Sequence, residues 1–348
     1  MRRVIKGVCL LCEIAVISVF IFYPLLLYGK KSYLKAPILQ PTIRLDLHPN
    51  AQHIPVYDQN GLASCYAHAT AQFIDFYRFI HDPNPQKNQV LTSPIKLAID
   101  ASIIERNQYD PKKNSIAGGH PSDALAAAAR YGLCDYRKTE PKSLSFLDFH
   151  FATMGELHRF IHSNLEADPR FLWSGLYQLA VKWCSYSFQK IFDQPIPKDL
   201  IDVALRRYGN SLDVLKIIAD RVCEPFTIQW EIPQIARKER GFVAIKDMES
   251  VIKDQLTQLK PVLIGYCGSI LTDAKYEGLG VFNTIKKDCD PHTSVIVGMK
   301  TKNNQTYFLV RNSWGISCQQ YAWECENGQI WIPEKELMKN ALEITYFK

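Results

Sequence analysis

Cys65 opens a helical pattern six residues after Gln59, and its chemical partners lie far downstream. His292 starts an alternating apolar strand, and Asn312 sits in the run Asn312-Ser313-Trp314-Gly315. A fold that uses these residues together must carry a strand from the back half of the chain to a helix N-terminus in the front half. The residue types suit one another. A thiol at a helix start beside an imidazolium loses its proton readily. A histidine takes and returns that proton, and an asparagine holds the ring in one tautomer. The Gln59 amide and the Cys65 backbone N–H are the expected oxyanion donors.

The element order supports such a convergence. Ala69, Phe73, Phe76, Tyr77 and Ile80 fall on one face of a helix from Ser64 or Cys65 to His81. Further helices are expected from Ser93-Pro94 to about Arg106 and from Ser122 to Tyr131, where Gly132 stops the second. A helix near Met248–Leu259 precedes strands at 261–265, 292–299, 307–311 and 328–332. Helices in front and strands behind make an α+β order. Residues 138–245 interrupt it as a mainly helical insertion, with helices near 153–165, 169–192 and 197–222. The middle helix carries Phe171, Trp173, Tyr177, Trp183, Tyr186 and Phe188, which points to burial, a partner or a membrane surface; packing on the core is the favoured reading.

The first 31 residues differ in character. Arg2, Arg3 and Lys6 precede an apolar run over residues 8–28, broken only by Glu13, and Lys30 and Lys31 follow it. This is about the ~20 residues that cross a bilayer. No clear small-residue cleavage site follows. A signal-anchor over 1–31 is favoured over a cleaved signal, with the linker at 32–50 and the remaining domain, 51–348, extracytoplasmic. Secretion after cleavage is the alternative. Cys9 and Cys12 lie inside the apolar run as bystanders or lipidation sites. Beyond these and Cys65, seven cysteines remain, so disulfides are possible outside the cytoplasm and at least one thiol stays unpaired. Their irregular spacing does not suggest a zinc site. Net charge is +6 without a long basic block past the N-terminus, so nucleic acid is not an expected partner.

The motifs resemble those of the papain-like cysteine proteases. The run from Val56 to Ala67 has that family's spacing from oxyanion glutamine to nucleophile, with Tyr66 where tryptophan is usual. Gly118-Gly119-His120-Pro121, running on to Leu133, resembles its glycine pair and following helix. Tyr276–Phe282 resembles the segment before the catalytic histidine, and Asn312-Ser313-Trp314-Gly315 its asparagine motif. The resemblance covers about 50–140 and 248–332. It implies a helical lobe and a β-rich lobe facing across a cleft. It implies Cys65 as nucleophile, His292 as general acid/base, Asn312 as its orienter and Gln59 in the oxyanion hole. Gly118, Gly119, His120, Thr293 and Trp314 become candidate substrate-binding residues, although His120 fits a surface loop equally well and Trp314 is expected to shield the His–Asn bond from water. His68, one turn from Cys65, falls where the family packs an apolar residue and is read as structural. A polypeptide substrate is implied, and no metal or organic cofactor is needed.

Several positions depart from the family. Leu62 and Ile116 stand where a disulfide is common, so packing is expected to replace it. Pro291 stands where aspartate is frequent, and the interval from His292 to Asn312 is slightly long. The stretch between Tyr28 and the catalytic core is too short for the usual inhibitory propeptide, and the helical insertion is a candidate gate instead. A catalytically idle peptide-binding module and a cysteine acyltransferase or amidase are the competing readings.

Overall fold

A computed structural model of the chain describes residues 42–81, 90–139, 147–192, 194–208, 210–224, 227–228, 230–279 and 284–348. The expected apolar segment at 8–28, most of the connector 32–50, and residues 280–282 of the segment before His292 lie outside these. Among the described residues no helix is long and apolar enough to cross a membrane.

The front of the chain is helical. Helix α1 (Cys65–His81) buries Ala67, Phe73, Ile74 and Phe76. Helix α2 (Pro94–Gln108) starts where the Ser93 side chain accepts from Lys96 N at 3.1 Å and Pro94 takes the first turn. Helix α3 (Pro121–Tyr131) also begins on a proline and stops at Gly132, whose φ of 79° falls in the region open to glycine. A single turn, α4 (Tyr136–Thr139), follows.

Then come α5 (Leu147–Ala167), α6 (Gly175–Phe192), α7 (Lys198–Arg207) and α8 (Ser211–Cys223). The helix expected over 197–222 is therefore two. The second has its own cap, because the Asn210 side chain accepts from Leu212 N at 2.7 Å. The root of this helical segment is closed twice. Cys134 bonds Cys223, and strands β2 (Leu133–Cys134) and β3 (Thr227–Ile228) pair antiparallel. Arg106 of α2 also forks onto Asp213 of α8 at 2.6 and 3.1 Å.

The back of the chain forms one antiparallel sheet in the order β4-β10-β5-β6-β7-β9-β8, with β1 (Ile43–Arg44) also on β6. Its members are β4 (Ile235–Glu239), β5 (Val262–Cys267), β6 (Pro291–Lys302), β7 (Gln305–Arg311), β8 (Glu324–Glu326), β9 (Gln329–Pro333) and β10 (Ala341–Phe347). Helix α9 (Ile245–Thr257) precedes β5, and α10 (Glu334–Asn340) separates β9 from β10. Strand β4 falls inside the segment expected to be helical. Its run Ile-Ala-Arg-Lys-Glu has no apolar alternation to announce a strand, and pairing with β10 supplies the reason for it.

Helix α1 is seated against this sheet. Phe73 stacks on Phe347 at 4.4 Å. Arg311, buried at the end of β7, donates to Gln72 Oε1 at 2.9 Å and Gln329 Oε1 at 3.1 Å, and also to the Ile54 carbonyl. Burial pushes its guanidinium down to about 10. These contacts hold the middle of α1 against β10 and the end of β7, the strand that leads into Asn312.

Candidate active site

The approach to Cys65 is a tight turn. Asn60 and Gly61 take φ of 44° and 81°, and Asn60 N donates to Asp58 Oδ1 at 2.8 Å. Leu62 N returns to the Gln59 carbonyl at 2.9 Å. The turn delivers Cys65 as the first residue of α1, half-buried, at the positive end of the helix dipole. Beside it, Gly118 N donates to the Ala63 carbonyl at 2.6 Å. A Cβ on Gly119 would lie 2.7 Å from the buried Tyr66 ring, so only glycine lets this loop close on the helix. The Tyr66 hydroxyl reaches the Ile116 carbonyl at 3.2 Å. Leu62 and Ile116 are both buried.

His292 enters from β6, opposite Tyr266 of β5. Gly268 packs under it, where a Cβ would meet His292 Cβ at 2.9 Å, and Cys267–Cys289 closes the loop before it. Its Nε2 lies 2.7 Å from Asn312 Oδ1. The same oxygen accepts from Ser294 Oγ at 3.2 Å, and Asn312 Nδ2 donates to the Tyr321 hydroxyl at 3.1 Å. Asn312 is fully buried, so its orientation is set by all three partners together. The Trp314 ring lies 5.2 Å from the His292 ring, and Tyr321 stacks on Trp314 at 5.9 Å.

Cys65 and His292 act on each other. Burial pushes the Cys65 thiol up, but the hydrogen bond and charge of His292, with backbone N–H groups of Thr293 and Tyr66, bring it below its ordinary value. Burial pushes His292 down, but the Cys65 thiolate and Asn312 carry it above its ordinary value. The two shifts have opposite sign and favour a thiolate–imidazolium pair. His68 differs. It is buried against Ser64, with Nδ1 3.0 Å from the Ser64 carbonyl, and burial lowers it to about 4.

Cys65, Gly118, Gly119, His120, His292 and Thr293 line one cleft of about 640 Å³. Gln59, Asn312 and Trp314 are not among the residues that line it. Gln59 Nε2 donates to the Leu62 carbonyl at 2.7 Å while its Oε1 accepts from Ser313 Oγ at 2.6 Å. One amide hydrogen of Gln59 is thus committed, and the other has no partner among the described residues. Tyr321 and Ser294 escaped the sequence reading, because nothing local marks a hydroxyl that will face a distant asparagine, and so did Tyr266, whose hydroxyl lies 2.9 Å from Ser294 Oγ. The cleft's charged wall, with Arg237 Nε donating to Glu343 Oε2 at 2.6 Å, also went unread.

Residues 220–331 match the sequence profile of the papain family cysteine proteases. That match covers about a third of the chain, the part that carries His292 and Asn312. Among solved structures, the chain is similar to xylellain, a cysteine protease from Xylella fastidiosa, at 20% identity over 89% of this chain and 86% of that one, with a TM-score of 0.49. It is also similar to a procathepsin B from Trypanosoma congolense, at 15% identity over 89% and 77%, with a TM-score of 0.47. No curated protein sequence matches it at a significant level. The papain-family match supports a cysteine peptidase acting on polypeptide. Among the described residues, the disulfides Cys134–Cys223, Cys267–Cys289 and Cys318–Cys325 suit an oxidising compartment, and Cys184 is a buried free thiol.

Proposed function

We propose that the chain hydrolyses peptide bonds through a thioester on Cys65. The observation that carries this reading is the His292 ring held between the Cys65 thiol and Asn312 Oδ1 at the wall of an open cleft. The thiolate attacks the peptide carbonyl and forms the C–S bond. The Cys65 backbone N–H and the uncommitted Gln59 amide hydrogen hold the oxyanion. His292 gives its proton to the leaving amine as the C–N bond breaks. Water, deprotonated by His292, then releases the acid and frees the thiol. Anchorage through residues 8–28, with the catalytic domain extracytoplasmic, belongs to the same proposal and rests on the sequence of that segment.

Incubation with a peptidyl epoxide, read by intact mass beside a Cys65→Ala control, tests the nucleophile. One adduct on the wild type and none on the control is expected. Labelling that survives the substitution overturns the assignment. Product mass separates hydrolysis, which adds water to the substrate, from transfer to an amine.

A further inference from the structure

Helix α6 is apolar on two faces. Tyr177, Ala180, Val181, Cys184, Phe188 and Ile191 are buried within the helical segment. The opposite face presents Leu176, Leu179 and Trp183 at helical spacing, with Trp183 49% exposed, and Trp173 on the turn before the helix is 88% exposed. A helix hydrophobic all round is ordinarily enclosed, yet this side meets solvent. From Gly175 to Phe192 the helix carries Lys182 and Lys190 and no acidic residue, and Arg170 on the preceding turn is paired with Asp168 at 3.0 Å. Lys182 and Lys190 are exposed on the outward side, with Lys190 Nζ 5.5 Å over the Tyr186 ring.

We propose that this face docks on an anionic lipid bilayer surface. Tryptophan, leucine and lysine without acid make up the composition that settles at the headgroup boundary, with the rings and leucines below the phosphates and the lysines among them. A peptide groove would need backbone partners or a concavity, and α6 offers a convex stripe. An N-terminal anchor, which this inference shares with the proposed function, would hold a bilayer at high effective concentration, so weak contacts suffice. A bilayer-bound α6 would bring the proteolytic domain to membrane-proximal polypeptides.

The apolar run at 8–28 contains no tryptophan, so tryptophan fluorescence reports the body alone. Full-length protein is reconstituted into vesicles of phosphatidylcholine with phosphatidylglycerol, the acyl chains brominated near the headgroup. Quenching is expected, and it should be lost in Trp173→Phe/Trp183→Phe, exposed positions where folding is not at stake. Lys182→Gln and Lys190→Gln should each weaken the phosphatidylglycerol-dependent contact about fivefold. Resistance to alkaline carbonate extraction reads the anchor separately, so its failure is distinguishable from failure of the α6 contact. No quenching in the wild type, or quenching unchanged in the tryptophan variant, overturns the proposal. So does protection of α6 from hydrogen exchange that rises with protein concentration in lipid-free detergent, which would assign the face to a second copy.

Discussion

His292 Nε2 donates to Asn312 Oδ1 at 2.7 Å, and that bond fixes which ring nitrogen remains for Cys65. An amide oxygen only accepts, so Nε2 carries the proton and Nδ1 serves the thiol. Ser294 Oγ and Tyr321 hold the asparagine from its other sides. In the proposed mechanism Asn312 is a positioning residue and His292 the proton carrier. His292→Ala should lower kcat/KM by roughly 10²–10⁴. Asn312→Ala should lower it by less, and Tyr321→Phe by less again, as steady-state rates on one fluorogenic peptide will show.

The pH profile follows from the same pair. Cys65 lies below its ordinary value and His292 above it. The ion pair therefore exists once pH exceeds the thiol pKa and disappears when the imidazolium deprotonates. A bell-shaped kcat/KM is expected, with both limbs belonging to the coupled pair. Asn312 raises His292, so Asn312→Ala should move the alkaline limb to lower pH. An alkaline limb that stays in place would remove Asn312 from the proton's environment.

Gln59 carries its own prediction. Losing one oxyanion donor typically costs ~10²–10³ in rate. Gln59→Ala should fall in that range on kcat and leave alkylation of Cys65 by a small, non-peptidyl electrophile largely intact. Equal loss in both assays would mean that the substitution disturbs the Ser313 and Leu62 contacts rather than an oxyanion.

Gly119→Ala places a methyl 2.7 Å from Tyr66. Overpacking of this kind costs about 1–3 kcal/mol, read as a lower melting temperature with a raised KM. Tyr66→Leu opens the space, so the double variant should be less destabilised than the two single effects summed.

The Cys267–Cys289 bond spans 22 residues immediately before His292. By loop entropy it contributes about 3 kcal/mol. Cys267→Ser/Cys289→Ser should unfold at lower denaturant concentration and lose activity at temperatures where the fold persists, because the loop that backs His292 is released.

The lobes were legible in the sequence because their signals are local. The spacing of Phe73, Phe76 and Ile80, the Ser93-Pro94 cap and the alternating strand after His292 each specify an element within one window. The four residues of the candidate site were legible as types at a spacing. The sequence also limited the disulfides to an incomplete pairing. It did not say which cysteines pair, and Cys184 is spared because α6 buries it within the helical segment.

Tertiary structure alone decided the rest. Strand β4 has no strand pattern of its own and exists because β10 offers an edge. Tyr321 and Ser294 become parts of the site only once β6 and the loop after β7 converge on Asn312. Arg237 meets Glu343 across two paired strands, far apart in the chain. Periodicity records what a residue does relative to its sequence neighbours. Which hydroxyl faces a buried amide, or which edge recruits a charged strand, depends on groups brought together by long-range packing, and no local pattern encodes that meeting.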